Sequence, residues 1–187
     1  MTEKKARKMA RERLSDKRFH HTECVAAAAE KLAPQFGADR DKAVTAAWLH
    51  DLLKEEPKDE LLKRVLDSDR IDGNKIRECP QLWHAFACGD YLEDELGVDP
   101  EIASAVRWHT TGRDGMTPLE ETVFLADYIS EDRDFPGVDE IRKIAEESPQ
   151  KAIVAALRQT IDHLETDGSV IDDHTREALR YLSSKGE

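Results

Sequence analysis

The sequence predicts an all-helical protein built as a single domain, and three observations predict it. Apolar residues recur at three- and four-residue spacing along nearly the whole chain, with no convincing alternation of the kind a strand requires. Start and stop signals bracket these stretches: Asp39, Asp99-Pro100 and Thr117-x-x-Glu120 at starts, Gly37 and Gly97 at stops. The chain is 187 residues long, and no repeat, low-complexity segment or long linker divides it.

Taken in order, the basic opening Lys4-Lys5-Ala6-Arg7-Lys8 reads as an arm or short solvated helix within residues 1–14, ahead of a domain spanning 15–187. A long helix is expected from Asp16 to Phe36, with His21, Val25, Ala28 and Leu32 on its buried stripe. Asp39 caps a second helix from Arg40 to about Lys54, ended by Pro57. A short helix from Lys58 to Leu66 leads to a polar turn at Asp72-Gly73-Asn74. Pro80 is placed to open a helix reaching Leu96, on which His84, Cys88, Tyr91 and Glu95 share a side. After Asp99-Pro100, Ile102, Val106 and His109 form an apolar stripe ending in histidine, followed by a loop to Gly115. The capping box Thr117–Glu120 starts a helix whose apolar face, Val123, Phe124 and Tyr128, includes Asp127. A loop from Glu131 to Gly137 carries Arg133, and helices from about Val138, from Ser148-Pro149 to Leu164 and from Asp172 to Ser183 complete the chain.

Composition narrows the partners. A net charge of −12 opposes binding to nucleic acid, and a phosphate ligand would need a local island of positive charge or a metal. Cys24, Cys79 and Cys88 lie in apolar contexts without CxxC pairing, as in a reduced, cytoplasmic protein. No apolar run is long enough for a membrane span, and the basic N-terminus lacks the apolar core of a signal peptide.

Five polar groups stand where helices should bury hydrocarbon: His21, His50 with Asp51, His84, His109 and Asp127. Each has an ordinary explanation alone. A histidine on an apolar face is commonly a satisfied core residue, His50-Asp51 could cap a helix end, and Asp127 could pair with Arg107 or Arg133. Together they also admit one shared site, because a buried carboxylate needs a partner or a metal and neutral imidazole is a common ligand. Mixed His and Asp ligands suit iron, manganese, cobalt or zinc. Such an ion acidifies water and polarises phosphoryl groups, while Lys54, Arg113 and Arg133 could supply the positive island. Spacing leaves both explanations open. Walker, GxGxxG and GxSxG motifs are absent.

The order His21, His50-Asp51, Asp127 resembles the HD-domain metallophosphohydrolases. More narrowly, Arg18-Phe19-His20-His21-Thr22, Leu49-His50-Asp51-Leu52-Leu53-Lys54, Arg107-Trp108-His109-Thr110-Thr111-Gly112-Arg113 and Leu125-Ala126-Asp127-Tyr128-Ile129-Ser130 are similar to motifs of the YqeK-like, symmetrical bis(5′-nucleosyl)-tetraphosphatases of bacteria. The likeness runs from about residue 15 to 182. One departure is Ala178-Leu179-Arg180, where the family usually carries a tyrosine-asparagine pair.

The resemblance implies a single HD-type helical domain with His21, His50, Asp51 and Asp127 on one transition metal, iron favoured. It implies phosphate or nucleotide contacts from Arg18, Lys54, His84, His109, Thr110 and Arg133. The segment Val170, Ile171, Asp172, Asp173, His174 and Thr175 would close over the nucleotide. His84, His109 and Asp51 would take the catalytic roles, splitting diadenosine tetraphosphate into two ADP. Action on another phosphoester, or nucleotide sensing without turnover, are the alternative readings. The implied partner is an ADP-like nucleotide, with neither nucleic acid nor membrane, and homodimerisation is left open.

Overall fold

Most helices begin at a residue whose side chain takes one of the first orphan amides. In the computed structural model, which describes residues 1–185, Thr2, Ser15, Asp39, Asp72, Asp99, Thr117, Ser148 and Asp172 all do so. The helices are α1 (Glu3–Arg13), α2 (Asp16–Phe36), α3 (Arg40–Leu49), α4 (Lys58–Leu66), α5 (Gly73–Ile76), α6 (Trp83–Asp90), α7 (Pro100–Arg107), α8 (Pro118–Ile129), α9 (Val138–Glu147), α10 (Pro149–Asp167) and α11 (Asp173–Ser184). No strand occurs among the described residues, as the periodicity predicts. Gly186 and Glu187, the end of the expected 15–187 domain, lie outside them.

The centre of the molecule is α2 packed on α3 and α8, with α7 against α3 and α8 and α6 against α7. Small buried side chains, Ala29 and Ala33 on α2 and Ala43, Ala46 and Ala47 on α3, let helix backbones approach closely. Leu49, Phe86, Val106 and Leu125 fill the interior between the central helices.

Four local expectations need correction. The opening segment is the short helix of the two readings but not a solvated one: α1 packs on α3 and α2, and Ala6 and Ala10 are fully buried. Its basic residues line one side while alanines fill the other, so counting charge alone hid the apolar stripe. The second helix stops at Leu49, and residues 50–55 continue as tight turns, with amides of Leu52, Lys54 and Glu56 bonding three residues back to Leu49, Asp51 and Leu53. The Cys88 thiol donates to the terminal Leu49 carbonyl, and burial pushes its pKa up to about 12, so it stays protonated. Pro80 opens turns and not a helix; α6 starts at Trp83 and widens into a π-helical turn, Tyr91–Glu95. Across it Asp90 and Glu93 share buried Arg107, and Arg70 bonds Asp94. The turn at Asp72-Gly73-Asn74 tightens into the single-turn α5.

Where α6 crosses α7 there is no room for a side chain at Gly89. A Cβ there would stand 2.6 Å from Arg107 Cβ and 3.0 Å from the Ala103 carbonyl. Gly89→Ala is expected to force the two helices apart and cost about 1–3 kcal/mol. Urea unfolding of the two proteins would show it, and an unchanged midpoint would refute the close contact.

Candidate metal centre

The four central helices each deliver one polar group to the same point. His21 comes from the second turn of α2, His50 directly follows α3, His109 lies just past the end of α7, and Asp127 sits in the last turn of α8. His21 Nε2 is 3.0 Å from Asp127 Oδ1 and 4.0 Å from Asp51 Oδ2. His50 Nε2 is 3.5 Å from Asp51 Oδ2 and 4.0 Å from Asp127 Oδ1. Donor atoms of His21, His50 and Asp127 lie within 4.8 Å of one another, and so do those of His50, Asp51 and His109.

Hydrogen bonds behind the rings set their tautomers. His50 Nδ1 lies 2.7 Å from the Ala47 carbonyl, and His109 Nδ1 2.6 Å from that of Val106. A carbonyl only accepts, so both Nδ1 atoms carry hydrogen and both Nε2 atoms present lone pairs. His21 Nδ1 stands 2.8 Å from a carboxylate oxygen of Asp132, which fixes the same tautomer. Consequently Nε2 of His21 and of His50 are buried without any hydrogen-bond partner, despite the nearby carboxylates. Orphaned buried acceptors are costly, and here they converge between two carboxylates. Two neutral imidazoles and two carboxylates match a divalent ion in charge and in donor type, so these residues fit a transition metal.

The electrostatics agree. Burial pushes the carboxyl pKa values of Asp51 and Asp127 upward, but the surrounding imidazoles, joined at Asp127 by Arg133, outweigh it and hold both well below the usual range. Burial also opposes a charge on His50, yet Asp51 and Asp127 raise its pKa. The pair of carboxylates thus favours positive charge at the point between them. At the other two rings burial dominates: His84 is lowered, and His109 falls to about 3. His84 Nε2 is 3.2 Å from Asp51 Oδ1 and 3.4 Å from His109 Nε2, with the Lys54 ammonium 3.1 Å from the same nitrogen.

Beside the cluster opens a cavity of about 420 Å³, lined on its charged side by Arg18, Lys54 and Arg133 with Asp51 and Asp127. Arg18 Nη1 donates to Asp51 Oδ2 at 2.8 Å, and Arg133 pairs with Asp127. The Thr110 hydroxyl is buried, unpartnered and at the cavity. Thus an acidic chain builds a local island of three cations.

Every expected metal ligand reaches the centre, and Arg18, Lys54, His84, His109, Thr110 and Arg133 surround it. Of the two adjacent histidines, His21 is buried and His20 exposed, as the helical register requires. Arg113 does not belong: it bonds buried Glu120, the capping-box residue, and lines a separate groove with Gly37 and Pro118. A short chain distance from His109 gave it false proximity. Val170–Thr175 does not line the cavity; Asp172 caps α11, and the His174 ring packs 4.8 Å from that of Trp108. Asp132 was missed. It lies 111 residues from His21 in an ordinary polar loop, and only its fifth-residue spacing from Asp127 hinted at a shared role.

An α-helical bundle that brings a distant histidine, an adjacent His-Asp pair and a distant aspartate together defines a recognisable class. The chain belongs to the HD domain family, whose pattern matches residues 18–132. It is 39% identical over 162 residues to the symmetrical bis(5′-nucleosyl)-tetraphosphatase of Bacillus subtilis (strain 168), covering 86% of this chain and 87% of that one. The Staphylococcus aureus protein of the same name is 32% identical over 190 residues, covering 100% of this chain and 97% of its own. A crystal structure from Clostridium acetobutylicum, described as that of a predicted HD superfamily hydrolase involved in NAD metabolism, superposes with a TM-score of 0.91 at 31% identity over 99% of this chain and 98% of that one.

Asp132 should matter through His21. Removing its carboxylate in Asp132→Ala frees the ring to turn and weakens it as a base, so metal affinity is expected to drop about 10–100-fold. Chelator competition would measure this, and unaltered affinity would rule the contact out as a support.

Proposed function

We propose that this protein is a metal-dependent hydrolase of dinucleoside tetraphosphates that cleaves diadenosine tetraphosphate symmetrically into two ADP. The observation that carries this reading is the pair of orphaned imidazole nitrogens aimed between two buried carboxylates, directly beside three cationic side chains. The first arrangement suits a metal and the second a polyphosphate. The relatives named as symmetrical bis(5′-nucleosyl)-tetraphosphatases, matched over most of their length, narrow the phosphate ligand to this substrate class.

In this reading His21, His50, Asp51 and Asp127 hold one ion, for which iron is favoured over manganese, cobalt or zinc. When bound, the ion supplies Lewis acidity, lowering the pKa of water and polarising a phosphoryl group. Arg18, Lys54, Arg133 and the Thr110 hydroxyl bind phosphate oxygens and fix which phosphorus faces the centre. Water adds at an inner phosphorus and the central P–O–P link breaks, releasing one nucleoside diphosphate directly and the other with the added oxygen. His84, whose Nε2 lies 3.2 Å from Asp51 Oδ1, stands where charge grows on the departing oxygen and serves as its proton partner, while neutral His109, with Nδ1 committed to the Val106 carbonyl, lines the cavity beside it. Lys54 and Arg133 offset the remaining charge. The unpaired Cys24, Cys79 and Cys88 suit a reducing cytoplasm.

His50→Ala and Asp127→Ala should lose both metal and turnover, whereas His84→Ala should keep the metal and lose about 10²–10⁴-fold in rate. Metal analysis and ion-exchange separation of products read these outcomes. AMP plus ATP in place of two ADP would mean asymmetric cleavage and sink the proposal, as would full activity in a metal-free Asp127→Ala protein.

A further inference from the structure

Part of the cavity wall does nothing for phosphate. Next to the cations it is formed by Phe124, Tyr128, Phe135 and Thr160, a surface without charge. Phe124 and Tyr128 lie one helical turn apart on α8 with rings nearly parallel, 16° between planes, and the Phe135 ring stands edge-on to Tyr128 at 5.2 Å. The Tyr128 hydroxyl is already engaged, donating to Gln159 Oε1 at 2.9 Å. Gln159 Nε2 in turn donates to the Pro136 carbonyl at 2.7 Å, and Arg142 donates to the carbonyls of Ser130 and Arg133. The loop carrying both Arg133 and Phe135 is therefore pinned from two helices. At Gly137, φ is +91°, and a Cβ would collide with the Gln159 amide at 2.1 Å, so the glycine is what lets this brace close.

We infer that this aromatic wall is a nucleobase subsite, holding one of the two bases of the dinucleotide by stacking. The inference rests on the dinucleotide reading above and deepens it. Continuity carries the argument: Asp127 adjoins Tyr128 in sequence, and Arg133 precedes Phe135 by two residues on the same braced loop. A ligand whose phosphates meet Arg133 at the metal centre leads its nucleoside onto those rings. Size adds a constraint. A cavity of about 420 Å³ suits one nucleoside with its near phosphates, not both halves of a dinucleoside tetraphosphate. The other nucleoside then leaves past the centre on a different side. With hydroxyls but no charged side chain in the wall, the base is held by its π-face.

The test compares two ligands on metal-loaded protein by rapid-mixing titration before turnover: diadenosine tetraphosphate and inorganic tetraphosphate, which carries no base. Stacking of one base on this wall predicts that the wild type prefers the dinucleotide by at least about tenfold. In Phe135→Ala this preference should fall about tenfold, with metal content and tetraphosphate affinity unchanged, and Phe135→Trp should restore it. A wild type with no preference, or a Phe135→Ala protein that weakens for both ligands equally and keeps the preference, overturns the subsite. If diadenosine tetraphosphate binds with the expected pattern but is never hydrolysed, the proposed reaction fails while the base subsite stands.

Discussion

Two carboxylates inside a helical core set the terms for everything around them. Asp51 is buried and Asp127 nearly so, and neither could remain charged there without concentrated positive charge nearby. The structure answers in layers. Imidazoles meet the carboxylates face to face, Arg18 and Arg133 bind them from the cavity side, and Lys54 stands 4.0 Å from Asp51. What these leave open is the point between the carboxylates, toward which two nitrogen lone pairs are turned. The same charge that would be a liability in a folded core is what makes the point selective for a cation.

Much of this was legible in the sequence. Helical periodicity and cap chemistry located most of the helices, because both are local properties of the chain. His21 was separable from His20 by register alone, since only one of the two falls with Val25 and Leu32 on the buried stripe. Asp127 stood out because a carboxylate on an apolar face requires a reason. What escaped was set by contacts distant in sequence. Asp132 looks like any loop acid until α2 brings His21 to it. Arg113 looked like a phosphate ligand until Glu120, doubling as a helix cap, claimed it. The burial of α1 depends on α3 supplying an apolar surface for two alanines, which no property of residues 1–14 announces.

The shift from α3 to tight turns shows how local and tertiary preferences divide the work. The apolar run Trp48–Leu53 continues the helical pattern and reads as one helix. Yet the His50 ring bonds the Ala47 carbonyl, the Cys88 thiol takes the Leu49 carbonyl, and the amides beyond bond only three residues back. Side chains thus satisfy the helix-end carbonyls that further helix would have used.

That segment is also tied at its far end, where Glu55 accepts from the amide and hydroxyl of Ser15 at 2.7 and 2.6 Å. Between the two anchors lie His50, Asp51 and Lys54. Their spacing along the chain is therefore a fixed measure, set by tight turns fastened to α2 at one end and α6 at the other. Surface connections elsewhere can gain or lose residues and leave the bundle intact. Here a single inserted residue would carry Lys54 away from His84 and Asp51 while Glu55 slipped out of reach of Ser15. The length of this short stretch, as much as the identity of its residues, is what the protein has to inherit unchanged.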